Sequence, residues 1–217
     1  MKIAILSNIK SNIYALQEVL LDITKNKVDA VLNLGDSFYG PIAPKETYDL
    51  IRESSFINIC GNEDRKILEA SLEQLEQDKL LKYIYNDLGE EVLYWIQDLP
   101  FEKLIGEDFY MIHGTYFDDS DSLLKDDEKV DENKIIELLD DIKSKFIFCA
   151  NSNIARCETL NSGQVIITPG AVGMNENEIV KEASYAILTI QESEFKVELL
   201  RVSYDYEKAI NEAKKAF

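Results

Sequence analysis

The chain has 217 residues, 46% apolar and 29% charged, the balance of a globular protein with enough apolar residues for a sizeable core. Its 41 acidic residues against 23 lysines and arginines give a formal charge of -18, which repels nucleic-acid backbones and anionic lipid and excludes nonspecific binding to either. No stretch approaches the roughly 20 apolar residues that cross a bilayer, no secretion signal is expected, and Cys60, Cys149 and Cys157 show no disulfide or zinc spacing, so a cytoplasmic protein is expected.

Lys2–Leu6 reads as a short buried strand, and the polar turn over 7–12 predicts the cap of a helix from Ile13, with Ile13, Leu16, Leu20 and Ile23 at helical spacing. A second unit follows, with a strand over 30–34, Gly35-Asp36 at its end and a helix over 45–53. The third strand, over 56–60, breaks at Gly61-Asn62-Glu63-Asp64. Strands alternating with helices predict a mainly parallel sheet whose loops gather at one edge, where sites in such sheets lie.

Residues 67–99 are acidic and helical in character, over 67–86 and then 90–98, until Pro100 ends them. Strands at 101–105 and 108–112, turned at Gly106, predict an antiparallel pair closed by His113-Gly114. Acidic residues crowd the segment from Asp118 to Glu132 without periodicity. It reads as a surface loop and lacks the glycine and terminal glutamate of an EF-hand calcium loop. A helix over 133–144 leads to strands at 145–149, 155–160, 164–168, 185–191 and 195–202, with a turn at Glu192-Ser193-Glu194 and a closing helix over 206–216. The expected architecture is α/β, two sheets flanked by helices in a single domain over 1–217.

The strand-end loops carry Ser7-Asn8-Ile9-Lys10, Gly35-Asp36, Gly61-Asn62-Glu63-Asp64, His113-Gly114 and Ala150-Asn151-Ser152-Asn153. Taken singly, Asn8, Asn62 and Asn153 have an ordinary explanation as turn residues, since Asn tolerates left-handed backbone angles. His113 can equally be a histidine held by hydrogen bonds at a strand end. It is the only histidine in the chain, and hydrolases that bind metal through imidazole use several.

The order and spacing of these loops resembles the calcineurin-like metallophosphoesterases, in particular their small bacterial and archaeal phosphodiesterase branch. In that family the first strand ends in Asp-x-His, the second in Gly-Asp, the third in Gly-Asn-His-Asp, followed by a lone His and by Gly-His-x-His. Leu34-Gly35-Asp36 with Tyr39-Gly40-Pro41 matches the second motif, and Thr168-Pro169-Gly170-Ala171-Val172-Gly173 looks like the turn after the last. The resemblance covers nearly the whole chain and implies four layers, two mixed sheets packed as a sandwich between helices. It also implies that 67–99 is a helical insert, which either covers the cleft or forms an acidic surface helix.

The resemblance further implies two metal ions bridged by Asp36. The first would take the positions of Asn8, Lys10 and Asn153, and the second those of Asn62, His113 and Asn151. The second site therefore keeps Asp36, Asn62 and His113, while the first keeps only Asp36. Lys10 puts an ammonium where a cation would sit and is expected to pair with Asp36, and Glu63 replaces a histidine near the phosphate. The cofactor expectation is one divalent ion (manganese, zinc or iron) at the second site, or none. The expected function is that of a catalytically impaired or inactive relative, a pseudoenzyme that binds a small molecule or protein partner in the old cleft. The alternative is a single-metal phosphodiesterase or phosphatase using Asp36, Asn62 and His113.

Overall fold

The computed structural model of the chain describes residues 1–124, 131–139, 142–175 and 178–216. β1 (Lys2–Leu6), α1 (Ile13–Asn26), β2 (Ala30–Asn33), α2 (Pro44–Glu53) and β3 (Ile57–Asn58) form the first run. α3 (Asn62–Leu68), α4 (Leu72–Gln77) and α5 (Lys79–Gln97) follow, then β4 (Glu102–Ile105), β5 (Phe109–Ile112), α6 (Glu132–Leu139) and β6 (Phe146–Phe148). The last third holds β7 (Ala155–Thr159), β8 (Val165–Pro169), β9 (Met174–Asn175), β10 (Glu178–Ile179), β11 (Glu182–Gln191), β12 (Glu194–Ser203) and α7 (Tyr206–Ala213).

These strands make two five-stranded mixed sheets, ordered β12-β11-β1-β2-β3 and β4-β5-β6-β8-β7, with β9 and β10 as a separate ribbon. Strands β1, β2 and β3 run parallel, as do β5, β6 and β8, while β11, β12, β4 and β7 are antiparallel to their neighbours. Side chains alternate across each strand, so Ile3 and Ile5 point into the core between the sheets and Ala4 and Leu6 into the core under the helices. Leu32, Leu34 and Ile59 of the first sheet meet Met111, Phe148, Val165 and Ile167 of the second in that inner core. The expected sandwich with flanking helices is the one observed.

Local signals explain the element ends. Asn12 caps α1 by accepting the Ala15 amide at 3.2 Å, and Lys27 stops it in the left-handed region. The helix expected over 67–86 is three shorter ones, and α5 kinks at Gly89, where φ is 71°. Leu81, Ile84, Leu88, Val92 and Ile96 are all buried in the outer core. Their spacing of three to four gives α5 an apolar stripe that packs against the body of the fold, so it is more than a surface helix. The acidic segment after Asp118 is also not all surface: Asp119 is only 3% exposed. Residues 125–130 of that segment lie outside the described residues. The β9–β10 ribbon was not expected, because two-residue strands carry no periodicity to read.

Candidate active site

The carboxyl ends of the parallel strands deliver five loops to one place. The loop after β1 binds the loop after β2 strand-fashion: Asn8, Lys10 and Ser11 amides donate to the Gly35, Asp36 and Ser37 carbonyls at 3.1, 3.1 and 2.9 Å. That meshing holds Asn8, Lys10, Ser11 and Asp36 at φ of 53°, 46°, 59° and 55°, and in the loop after β6 Asn151 and Asn153 stand at 62° and 58°. Non-glycine residues enter this region at a cost, and such outliers gather where a site dictates the backbone. Glycines let the loops touch. A Cβ on Gly35, itself at φ 92°, would lie 2.4 Å from the Gly61 nitrogen, and one on Gly61 would lie 2.2 Å from Asp36 Oδ1.

Asp36 stands at the centre, 3% exposed. Its Oδ1 accepts the Glu63 amide at 2.8 Å, and its Oδ2 lies 3.3 Å from His113 Nε2. Burial opposes its charge, but His113, Lys10 and the Glu63 amide outweigh burial and hold the carboxyl below its ordinary range. His113 Nδ1 is 2.6 Å from the Leu34 carbonyl. A carbonyl only accepts, so Nδ1 carries a proton, and in the neutral ring Nε2 is a bare acceptor facing Asp36. Without a cation there, burial pulls the imidazole pKa down, but Asp36 overrides it and raises the value to about 9. The contact is one of charge, since Nε2 makes no aligned hydrogen bond.

The first-metal positions behave differently. Asn8 Nδ2 donates to Asn153 Oδ1 at 2.8 Å, and Asn153 Nδ2 donates to the Asn151 carbonyl at 3.1 Å. Lys10, nearly buried, places Nζ 3.0 Å from Glu63 Oε2. The expected partner was Asp36. Its carboxyl does feel the Lys10 charge, but the close ion pair is with Glu63, because α3 carries that carboxylate over the loop. Burial and repulsion from Asp36 push the Glu63 pKa up, against the pull of Lys10.

Two contributions were not read from the sequence. Asp64 is fully buried and accepts the Ser37, Phe38 and Gly61 amides at 2.8, 3.2 and 3.2 Å, tying the second and third loops together. An acidic residue at the third helical position, reaching back to the amide of the N-cap Gly61, is the half of a capping box that would have marked it. Asp119 accepts a two-pronged contact from Arg65 Nε and Nη2, while its own carbonyl accepts Asn151 Nδ2 at 3.2 Å. It joins α3 to the last loop, and no local pattern announces a partner 54 residues away.

Among the described residues no group of three or more His, Cys, Asp or Glu side chains is placed to hold a metal ion. Asparagine amides extend the donor set. Buried Asn8 Oδ1, Asn62 Oδ1 and His113 Nε2 have no hydrogen-bond partner, and each sits on a loop beside Asp36. Ligands about 2.1 Å from a zinc-like ion in tetrahedral geometry lie roughly 3.4 Å apart, and Asp36 Oδ2 and His113 Nε2 are 3.3 Å apart. The Asp36–His113 spacing is thus one that a single divalent ion accommodates, with Asn62 Oδ1 an unpaired acceptor at the start of α3.

Two face-to-face mixed sheets with a buried Asp–His–Asn cluster at their loop edge define a metallophosphoesterase scaffold. The chain belongs to the calcineurin-like phosphoesterase superfamily, whose domain model matches residues 1–193. It is 28% identical over 229 residues to the uncharacterized protein MJ0912 of Methanocaldococcus jannaschii, covering 95% of this chain and 89% of that protein. The fold is similar to that of a metallophosphoesterase from Sphaerobacter thermophilus, with a TM-score of 0.79 and 22% identity over 100% of this chain and 94% of that one. It also resembles the hypothetical protein PH1004 of Pyrococcus horikoshii, with a TM-score of 0.82 and 19% identity over 99% and 92% of the two chains.

Proposed function

We propose that this chain is a catalytically impaired phosphoesterase homologue that binds a phosphate-bearing small molecule in its cleft, with one divalent ion at Asp36, Asn62 and His113 and Lys10 in place of the other. The observation that carries this reading is the 2.8 Å hydrogen bond from Asn8 to Asn153. Two positions that would grip the first ion grip each other. Metal pairs roughly 3.5–4 Å apart activate water and stabilise the leaving oxygen together, and an ammonium can do only the electrostatic part of that work.

A single bound ion would supply Lewis acidity to a phosphoryl oxygen. The protein's own groups would do the rest. Asp36, His113 and the Asn62 amide would hold the ion, the Leu34 carbonyl fixes the His113 tautomer, and the Lys10–Glu63 pair adds a fixed charge pair beside it. Glu63 stands where the family places a histidine, and a carboxylate there repels phosphate unless Lys10 neutralises it.

A second reading, a single-metal phosphoesterase, is favoured by the unpartnered Asn62 Oδ1 and His113 Nε2. Metal analysis of protein purified without chelators, paired with hydrolysis of a chromogenic phosphodiester in added manganese, separates the two. One ion per chain without turnover supports the first reading, and one ion with turnover selects the second. Two ions with turnover overturn both.

A further inference from the structure

The outermost strand of the first sheet has one side without a neighbour. Among the described residues no strand lies beyond β12, and it runs for ten residues, longer than the edges proteins usually leave open. The direction of its backbone groups follows from the ladder. Met1 and Ile190 exchange both hydrogen bonds, at 2.9 and 2.8 Å, so Ile190 spends its N–H and C=O on the β1 side. Ile190 is opposite Phe195, which makes that pair a non-hydrogen-bonded one. Alternation then turns the N–H and C=O of Phe195, Val197 and Leu199 outward, away from β11.

The side chains of this edge are complementary to themselves. In an antiparallel pairing of two copies about a two-fold axis at Val197, Val197 meets its own copy and Phe195 meets Leu199, all through outward-facing backbone groups. Lys196 then falls opposite Glu198 on both sides of the axis. Those are the non-hydrogen-bonded pairs, where side chains approach most closely. Moving the axis to residue 196 or 198 sets Lys196 or Glu198 against its own copy. Phe195 and Leu199 are 38% and 41% exposed, apolar surface that such a pairing would cover, and within one chain Lys196 and Glu198 already share a face at 2.8 Å.

We propose that the chain self-associates through β12, joining two sheets into one continuous ten-stranded sheet with Val197 on the two-fold axis. Sedimentation velocity of the whole protein from micromolar to millimolar concentration tests it. The wild type is expected to dimerise. Lys196→Glu and Glu198→Lys each replace two attractive pairs with two like-charge pairs and are expected to weaken the dimer about tenfold. The double swap restores opposite charges in both places and is expected to return affinity to the wild-type level. A wild type that stays monomeric at millimolar concentration overturns the proposal. So does a dimer indifferent to the single reversals, or one that the double swap fails to restore while all variants keep wild-type melting.

Discussion

Asn8 and Asn153, 145 residues apart, meet in a direct 2.8 Å amide–amide hydrogen bond at the positions where the family seats an Asp and a His around a metal ion. On the proposed reading, two neutral amides bond each other where a charged ligand and its partner would have held the first ion. The rest of the site follows from this substitution, since a vacated cation must be compensated or its counter-charges removed.

Restoring the ligands tests whether the scaffold is intact. Asn8→Asp, Lys10→His, Asn151→His and Asn153→His together are expected to raise bound manganese from one ion per chain to two, read by elemental analysis after desalting. A variant that folds like the wild type and still binds no second ion would show that the loops, and not only their side chains, have changed.

Lys10 is the built-in cation. Its ammonium is nearly buried against Glu63 at 3.0 Å, and removing it leaves Glu63 and Asp36 to share His113 as their counter-charge. Lys10→Met is expected to destabilise the fold by about 3 kcal/mol, measured by urea unfolding. Lys10→Met with Glu63→Gln is expected to recover most of that loss, because the second change removes the stranded charge.

The metal-free protein should show a pH-dependent stability that traces to His113. Its pKa is raised from 6.5 to about 9 by Asp36 against the effect of burial. A folded-state value above the unfolded one adds stability that is complete below about pH 6.5 and fades as pH rises through 9. Melting temperatures in chelator are therefore expected to fall between those limits, and His113→Asn should flatten that slope. Added manganese or zinc should flatten it too, since a metal at Nε2 excludes the proton.

Arg65 and Asp119 fasten the loop after His113 to α3. Asp119 is buried while the Arg65 side chain is 42% exposed, so solvent screens part of the attraction. Arg65→Ala is expected to cost about 1 kcal/mol globally and to speed amide hydrogen exchange at Thr115 and Asp121, whose amides both bond the Asp118 carbonyl. Unchanged exchange at those amides would mean the loop is held without Arg65.

Much of the sandwich was legible because its helices bury one face and repeat near four, while central strands such as β1, buried on both faces, read as short unbroken apolar runs. Ile3 and Ile5 against Ala4 and Leu6, and the Asn12 cap, are local facts written in adjacent residues. The candidate site was legible only as a set of loops. Which amide bonds which depends on chain segments far apart: the sequence offered Asp36 to Lys10, and the folded chain places Glu63 nearest. Asp119 looked like one acidic loop residue among many, and only Arg65, arriving on α3, makes it buried and paired. The amide oxygens left without partners could not be read at all, since an unpaired acceptor is a property of the assembled surroundings.

The left-handed torsions at Asn8, Lys10, Ser11, Asp36, Asn151 and Asn153 belong to the backbone and mark the site independently of its side-chain chemistry. A loop required only to connect β1 to α1 would carry glycine at such positions, as the least costly residue there. Stripped of every atom beyond the backbone, this chain would still disclose where its socket lies, through six residues wound against their preferred hand.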